Sequence, residues 1–472
     1  LPLRSDYSRR TAPRRTRDRR AGSQSCEGLF ARRHGALSRA LLWPRGRRNH
    51  CGDGFGALVV GGTAARSGAR QTTAGGACRR GERMSAATAN EADVIVIGGG
   101  IMGTTTAFFL RQRNRSVILL ERGLTGQQAS GVNFGGIRRQ GRALPQLEMA
   151  NRALRTWQRS KDMLGEDIEF LAVGHTRVCY HQKDVENFDQ YALAARGYGL
   201  DLTVLRGDAL FRRFPFLGRE VLAASISPLD GHANPRLAAP AFGRAAARLG
   251  AQVIENTEIV RVEKDGERFR VESARGDVYW AAQLVICAGA WASRLTEQFG
   301  EPVPLVASGP QMAVTEPVPY VFKSSMGVFT SIKEESIYFR QIPRGNIIVG
   351  GGPAGPADAV TCRASVLPRN TVRQVAQLRR LVPALAPLHV IRVWSGVESY
   401  LPDGEPVIGP SSKVDGLYYA FGFCGSGFQI GPGVGETLAE LVDTGSTPIP
   451  LDVFSVSRFA KEAALRPSIA TS

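Results

Sequence analysis

"EADVIVIGGGIMGTTTAFFL", residues 91–110, decides how this chain is read. Residues 93–97, DVIVI, form a short apolar run of mostly β-branched residues, as a strand covered on both faces requires. Gly98, Gly100 and Gly103 follow in the spacing G-x-G-x-x-G, with Ile101 and Met102 between the last two, and TTTAFFLRQR then reads as a helix. Each glycine has a mechanical reason. Gly98 permits the tight turn, Gly100 lets the backbone close on a pyrophosphate, and Gly103 lets helix and strand pack closely. Phosphates would then rest on the helix N-terminus, where free N–H groups and the helix dipole favour anions.

Working outward, SVILLE at 116–121 reads as a second strand ending in Glu121, with Arg122 next. An acid at that distance beyond the glycines is placed to bind ribose hydroxyls, which favours an adenosine without a 2′-phosphate. These residues alone are compatible with FAD or NAD.

Nothing in the composition points elsewhere. The 472 residues suffice for two or more domains, and 43% apolar with 22% charged residues is ordinary for a globular chain. No apolar run approaches the ~18–20 residues needed to cross a bilayer. The net charge of +18 is concentrated at one end: nineteen of the 60 basic residues and five of the 42 acidic ones fall in residues 1–83, a net of +14, which leaves +4 for the rest. The body is nearly neutral, so charge makes no case for nucleic acid. Of seven cysteines, Cys26, Cys51 and Cys78 lie in the Arg-rich leader; Cys179, Cys287, Cys362 and Cys424 are scattered through the body. No C-x-x-C or Cys/His cluster suggests a metal, and buried free thiols are expected.

Residues 1–83 are rich in Arg, Gly, Ala and Ser, contain no Lys, and precede the first methionine, Met84. A transit peptide and a basic arm are alternatives. The preferred reading is upstream sequence translated in frame, and disorder is expected in every case, because the segment cannot bury enough apolar surface.

Further motifs choose between the cofactors. GQQASGVNFGGIRR (126–139), DGHANPRLAAPAFGRAAARLGAQVIENTEIVRVE (230–263), AAQLVICAGAWASRL (281–295), WSGVESYLPDGEPVIGP (394–410) and GLYYAFGFCGSGFQIGPGVGETLAELV (416–442) occur in an order that resembles the D-amino-acid-oxidase-like flavoenzymes. That family includes sarcosine oxidases, glycine oxidase and D-amino acid dehydrogenases, and the last two segments look closest to D-hydroxyproline-dehydrogenase-like β subunits. The resemblance covers about 92–445. It implies an α/β fold: a Rossmann-like FAD-binding domain (92–172, 230–305 and 395–445) with an inserted substrate domain (173–229 and 306–394) built on a mixed, mainly antiparallel sheet, and a C-terminal tail (446–472). It also implies that FAD is held by Gly98, Gly100, Ile101, Met102 and Gly103, by Glu121 and Arg122, by Ser130, Asn133, Gly135 and Gly136, by Val260, Ala288 and Gly289, and by Gly425, Ser426, Gly427, Phe428 and Gln429. Glycine loops at four separated places suit a long cofactor that the chain must meet repeatedly. A helix at 433–442 is expected to aim its N-terminus at the flavin.

The implied chemistry is hydride transfer to flavin from a carbon bearing an amine, which needs no catalytic triad. His175, His181, His232 and His389 fall in no shared motif and are expected to be structural. Carboxylate binding is work for arginine. Arg139 is the first choice and Arg138 its neighbour; Arg340 is the second, with Tyr338 beside it. Glu398 stands where glycine-oxidase-like members carry Arg, and could steer the substrate amine. Ser426 replaces a His and Gln429 a Lys of relatives, which weakens a sarcosine assignment. Cys424 is not the tethering Cys of sarcosine oxidases, so FAD is expected to be non-covalent. Lys323, on an expected lid strand, is a candidate positive charge near flavin N5. The expected partners are a small amine or amino acid and an electron-accepting subunit, in a cytoplasmic protein, peripheral to a membrane if attached to one at all; an organelle is expected only if the leader is a transit peptide. A non-catalytic flavoprotein kept for assembly is the alternative, and a nicotinamide-dependent enzyme a more distant one.

Overall fold

A computed structural model describes residues 90–460. The leader and the end of the tail, 461–472, lie outside the described residues.

The opening segment forms strand β1 (Glu91–Ile97) and helix α1 (Ile101–Gln112), followed by strand β2 (Val117–Leu120). Val94, Ile95 and Val96 have no exposed surface, and their side chains alternate between two cores. Val94, Val96, Val117 and Leu119 face one cluster with α1 and three helices yet to come. Ile95, Ile97, Ile118 and Leu120 face the other, with Phe269, Tyr279 and Leu417. A strand buried on both faces reads as an unbroken apolar run for this reason.

β1 sits in the middle of an eight-stranded sheet, parallel to β2 on one side and to Val278–Ile286 on the other. Gln252–Ile254 and Leu417–Phe421 continue the parallel set outward. One face is covered by α1, α2 (Leu147–Gln158), α3 (Pro235–Arg248) and α4 (Gly427–Thr444). α4 begins six residues before the expected start at 433, while Gly425 and Ser426 lie in the loop ahead of it. α4 lies so close to α1 that a Cβ on Gly435 would stand 2.2 Å from Thr105 Oγ1. The tail is not loose as far as it is described: Ile449, Phe454, Val456 and Phe459 are buried in the two cores.

The second sheet also has eight strands, in the spatial order Val390–Ser395, Gln311–Pro317, Asn346–Gly350, Tyr338–Gln341, Ser325–Val328, His175–Cys179, Ala223–Ser227 and Thr203–Arg206. Its pairings are antiparallel except between Ser325–Val328 and His175–Cys179. The fold is therefore α/β, with a Rossmann-like sheet and a mainly antiparallel second sheet. Lys323 lies in the loop before Ser325–Val328, exposed, not on a strand. Among the described residues no helix is long and apolar enough to cross a membrane, and no group of His, Cys, Asp and Glu could hold a metal ion.

Candidate functional site

The ends of β1 and β2, the start of α1 and one side of the second sheet enclose a cavity of about 640 Å³. That is within the range of cofactor and ligand sites. At one wall the chain leaves β1 through Gly98, at φ +108°, where a Cβ would meet Cys287 O at 2.4 Å. Gly100 then caps α1 and has no side chain to offer; Ser130 Oγ accepts the Ile101 N–H instead, at 2.8 Å. No acid lies in the first turn of α1, so this N-terminus remains suited to an anion. Glu121 accepts from the Gly99 N–H at 2.6 Å and from the Gly123 N–H at 2.7 Å, which ties the glycine turn to the end of β2.

Most of the residues expected to hold a cofactor line this one cavity: Gly98, Gly100, Ile101, Met102, Glu121, Arg122, Ser130, Asn133, Gly136, Val260, Ala288, Gly289, Gly425, Ser426, Gly427, Phe428 and Gln429. Gly103 and Gly135 do not. A Cβ on Gly103 would be 1.9 Å from Gly98 O, and one on Gly135 2.3 Å from Ala233 O, so both are packing positions. Gln429 donates to Ala150 O at 2.8 Å, while its Oε1 is buried without a partner. The guanidinium of Arg122 lies 4.1 Å over the ring of Trp291, a cavity residue that sequence reasoning missed.

Two expectations about arginine fail. Arg139 points away from the cavity into a buried ion pair: its Nε is 2.9 Å from Asp230 Oδ1, and its Nη1 donates to Asn151 at 3.0 Å. Arg340 is buried too, donating to Phe134 O at 2.6 Å and facing His232 Nδ1 at 3.2 Å, so it braces the loop beneath the cavity. The arginines on the cavity wall are Arg122 and Arg294 together with Arg138, Arg142 and Arg177. Arg142 donates to Arg138 O at 3.0 Å, to Gln146 Oε1 at 3.1 Å and to Ser426 O at 2.9 Å. Arg138 donates to Gln140 O. Burial, and then the neighbouring Arg138, pushes Arg142 and Arg177 down to about 9, and burial lowers Arg138 as well. Arg138 and Arg177 keep some exposed surface, but protein surrounds them deeply enough to desolvate their charge.

Tyr338 and Glu398 line the same cavity, as does Tyr400, whose hydroxyl donates to Glu398 at 3.0 Å. Burial raises the Glu398 carboxyl above its usual range, against the hydrogen bonds from Tyr400 and the Gly425 N–H. His175, expected to be structural, is also on the wall. Its Nδ1 and carbonyl both accept from the amide of Gln140, at 2.8 and 2.7 Å, and burial holds its imidazole well below 6.5. It is therefore a neutral wall residue. His232 is buried beside Arg340, while His181 and His389 pair with Glu335 and Glu316.

The sequence of this chain matches the family model described as FAD dependent oxidoreductase over residues 93–441. It is 27% identical over 377 residues to the glycine oxidase of Geobacillus kaustophilus, spanning 78% of this chain and 97% of that protein. It is 24% identical to the sarcosine oxidase subunit beta of Rhodobacter capsulatus, with 80% of this chain and 91% of that one covered. Among solved structures, the L-proline dehydrogenase of P. horikoshii superposes with a TM-score of 0.73 at 27% identity, covering 79% of this chain and 99% of that one. With a glycine-capped helix N-terminus, a ribose-side acid and the family match on one cavity, the chain belongs to the DAO family of FAD-dependent oxidoreductases.

Proposed function

We propose that the protein oxidises the C–N bond of a secondary amine or a D-amino or imino acid, of the sarcosine, D-proline or D-hydroxyproline kind, with non-covalently bound FAD. One observation carries the reading: a single cavity joins the N-terminus of α1 to a wall bearing Arg138, Glu398, Tyr338 and Tyr400.

The residues fit the cofactor. Gly98 and Gly100 leave the backbone bare at the start of α1, Glu121 stands at the end of β2 for the ribose, and Ser130 and Asn133 hold the second loop. Cys424 supports non-covalent attachment, because it is not on the cavity wall and accepts the Leu401 N–H at 3.2 Å. FAD held there supplies a two-electron acceptor for the hydride leaving the carbon next to nitrogen.

The rest of the work falls to the chain. Arg138 takes the substrate carboxylate in place of Arg139. Its neighbour Tyr338 helps to orient the substrate. Hydride loss needs a free lone pair on nitrogen, so the ammonium form must first give up a proton. Glu398 is the carboxylate on the wall; in its ionised form it can accept that proton, and its raised affinity for protons suits the task. Residues of the second sheet, among them Met312, Val328 and Tyr338, form part of the cavity wall. The resulting imine hydrolyses after release. Likeness to a protein named as one subunit of an oxidase supports a partner subunit that removes the electrons.

The test is an anaerobic titration of the yellow protein with sarcosine, D-proline, D-hydroxyproline and D-alanine. Bleaching of the flavin band by one of them is expected, and later admission of air separates oxidase from dehydrogenase. A yellow protein that none of them bleaches overturns the reading.

A further inference from the structure

Two glycines lie in one cross-strand row of the second sheet, and the fold treats them differently. Along that row Arg177 is paired with Gly327, Gly327 with Tyr338, Tyr338 with Gly350, and Gly350 with Met312. Residues directly opposite one another in a sheet share a face. Arg177, Gly327, Tyr338 and Met312 accordingly line the cavity, but Gly350 does not. A Cβ on Gly350 would overlap the ring of Tyr338 and the Sδ of Met312, so those side chains already fill the space above it. At Gly327 the nearest atoms to such a Cβ are Tyr338 Cβ at 3.1 Å, Ile337 O at 3.5 Å and Tyr338 Cα at 3.7 Å, all at the base of the adjoining strand. The Tyr338 ring leans away over Gly350 and leaves Gly327 bare to the cavity.

Backbone conformation does not ask for glycine at 327, since its φ lies outside the left-handed region. No bulge interrupts the pairing either: the register runs unbroken from Ser325 to Val328. A glycine inside a regular strand then marks a place where something else comes close. The two ends of the bare patch have different chemistry. On one side the place of a Cβ on Gly141 is taken by Arg177 Nη1 and lies 3.4 Å from Arg138 Nη1, so the two guanidiniums converge closely enough to share one carboxylate. The buried Asp184 faces Arg177 and offsets one of the two positive charges, which leaves the pair with the charge that a single carboxylate answers. On the other side Tyr338 faces Glu398. From Arg177 to Tyr338 is two strand spacings, roughly 10 Å, which is room for one amino acid held at both ends.

We infer that Gly327 is the specificity-determining position of the site: with the carboxylate shared by Arg138 and Arg177 and the amine toward Glu398, the carbons between them lie against the bare backbone at 327, which admits a saturated ring and favours a cyclic imino acid over an N-methyl one. Sarcosine has a single methyl group to lay there, whereas a proline-like ring covers the patch. A side chain at 327 would take the place of that ring and leave the carboxylate site untouched. The inference rests on the amine-oxidising reading above and selects among its substrates.

The test uses two ethers that cannot be oxidised by loss of hydride next to nitrogen: tetrahydro-2-furoate, which is cyclic, and methoxyacetate, which is linear. Each carries one carboxylate, and the ring adds two carbons. Their dissociation constants on the flavin-loaded protein are measured by calorimetry, with the better-binding enantiomer of the cyclic ether. Tetrahydro-2-furoate is expected to bind about 10-fold more tightly, the worth of two further buried carbons. Gly327→Ala is expected to abolish that preference, with methoxyacetate binding held within about 3-fold and the flavin spectrum unchanged. Arg177→Gln, which leaves the floor alone, is expected to weaken both ethers alike. Equal binding of the two ethers by the unaltered protein overturns the inference. So does a Gly327→Ala protein that melts lower but keeps the preference, which would make Gly327 a packing position only, or an Arg177→Gln loss confined to one ether. Because neither ether reacts, these failures are separate from a failure of amines to bleach the flavin.

Discussion

Replacing Arg139 by Met should damage stability and leave ligand binding largely intact. Asp230 has no exposed surface, and Arg139 is 7% exposed, so the variant strands a carboxylate in the interior. Removing one partner of such a pair costs about 3–5 kcal/mol. Asp230 keeps two backbone donors, the N–H groups of Arg139 at 2.8 Å and Gln140 at 3.3 Å, which places the loss near the lower figure, about 3 kcal/mol. With an unfolding entropy of about 2.1 cal/mol/K per residue over roughly 370 residues, Tm should fall by about 4 °C. The assay is scanning calorimetry of the flavin-loaded protein, paired with methoxyacetate binding. The double variant Arg139→Met, Asp230→Asn removes the stranded charge and should recover part of the loss. An Arg139→Met protein with unchanged Tm but strongly weakened ligand binding would refute this reasoning and return Arg139 to the substrate.

Three further outcomes can be measured. Burial, aided by Arg340, pushes the His232 imidazole from 6.5 down to about 3, so the unfolded chain binds a proton in that window and the folded chain does not. Stability present above pH 6.5 is then lost toward pH 3 at about 1.4 kcal/mol per unit, and urea titrations should show His232→Asn flattening that slope. Glu398 shifts the other way: stability supplied by its protonated form is complete below the ordinary carboxylate range and lost as pH rises through its raised value. Glu398→Gln should therefore melt higher than the parent in mildly alkaline buffer, with the gap closing in acid, and its flavin reduction should lose the rise with pH. Gly435→Ala forces a methyl group against Thr105 Oγ1 at 2.2 Å, and should cost about 1–3 kcal/mol in denaturant titrations.

Local signals were sufficient for the nucleotide-binding half. β1, the glycine turn, α1 and Glu121 are consecutive in the chain, and their roles follow from short-range geometry: an apolar strand needs two covered faces, a tight turn needs bare backbone, and a helix start attracts anions. Five strands of the second sheet, those at His175–Cys179, Ala223–Ser227, Gln311–Pro317, Tyr338–Gln341 and Asn346–Gly350, are likewise legible from the Pro and Gly that bound them, whereas Thr203–Arg206, Ser325–Val328 and Val390–Ser395 are not. Of the four thiols expected to be buried, Cys179 and Cys287 are, and Cys362 and Cys424 are partly exposed. What the sequence could not settle is where a long side chain points. Arg138 and Arg139 are adjacent, yet alternation along an extended backbone sends Arg138 to the cavity and Arg139 to Asp230, far along the chain. Arg340 was misassigned for the same reason, since only folding brings His232 and Phe134 to it. Arg177 and His175 carried no motif at all and reach the wall because their strand pairs in parallel with Ser325–Val328. Chain-local physics determined the cofactor half of the protein; the charge that meets the substrate was decided by the tertiary fold, because an arginine's role depends on which carboxylate, or which absence of one, the fold sets beside it.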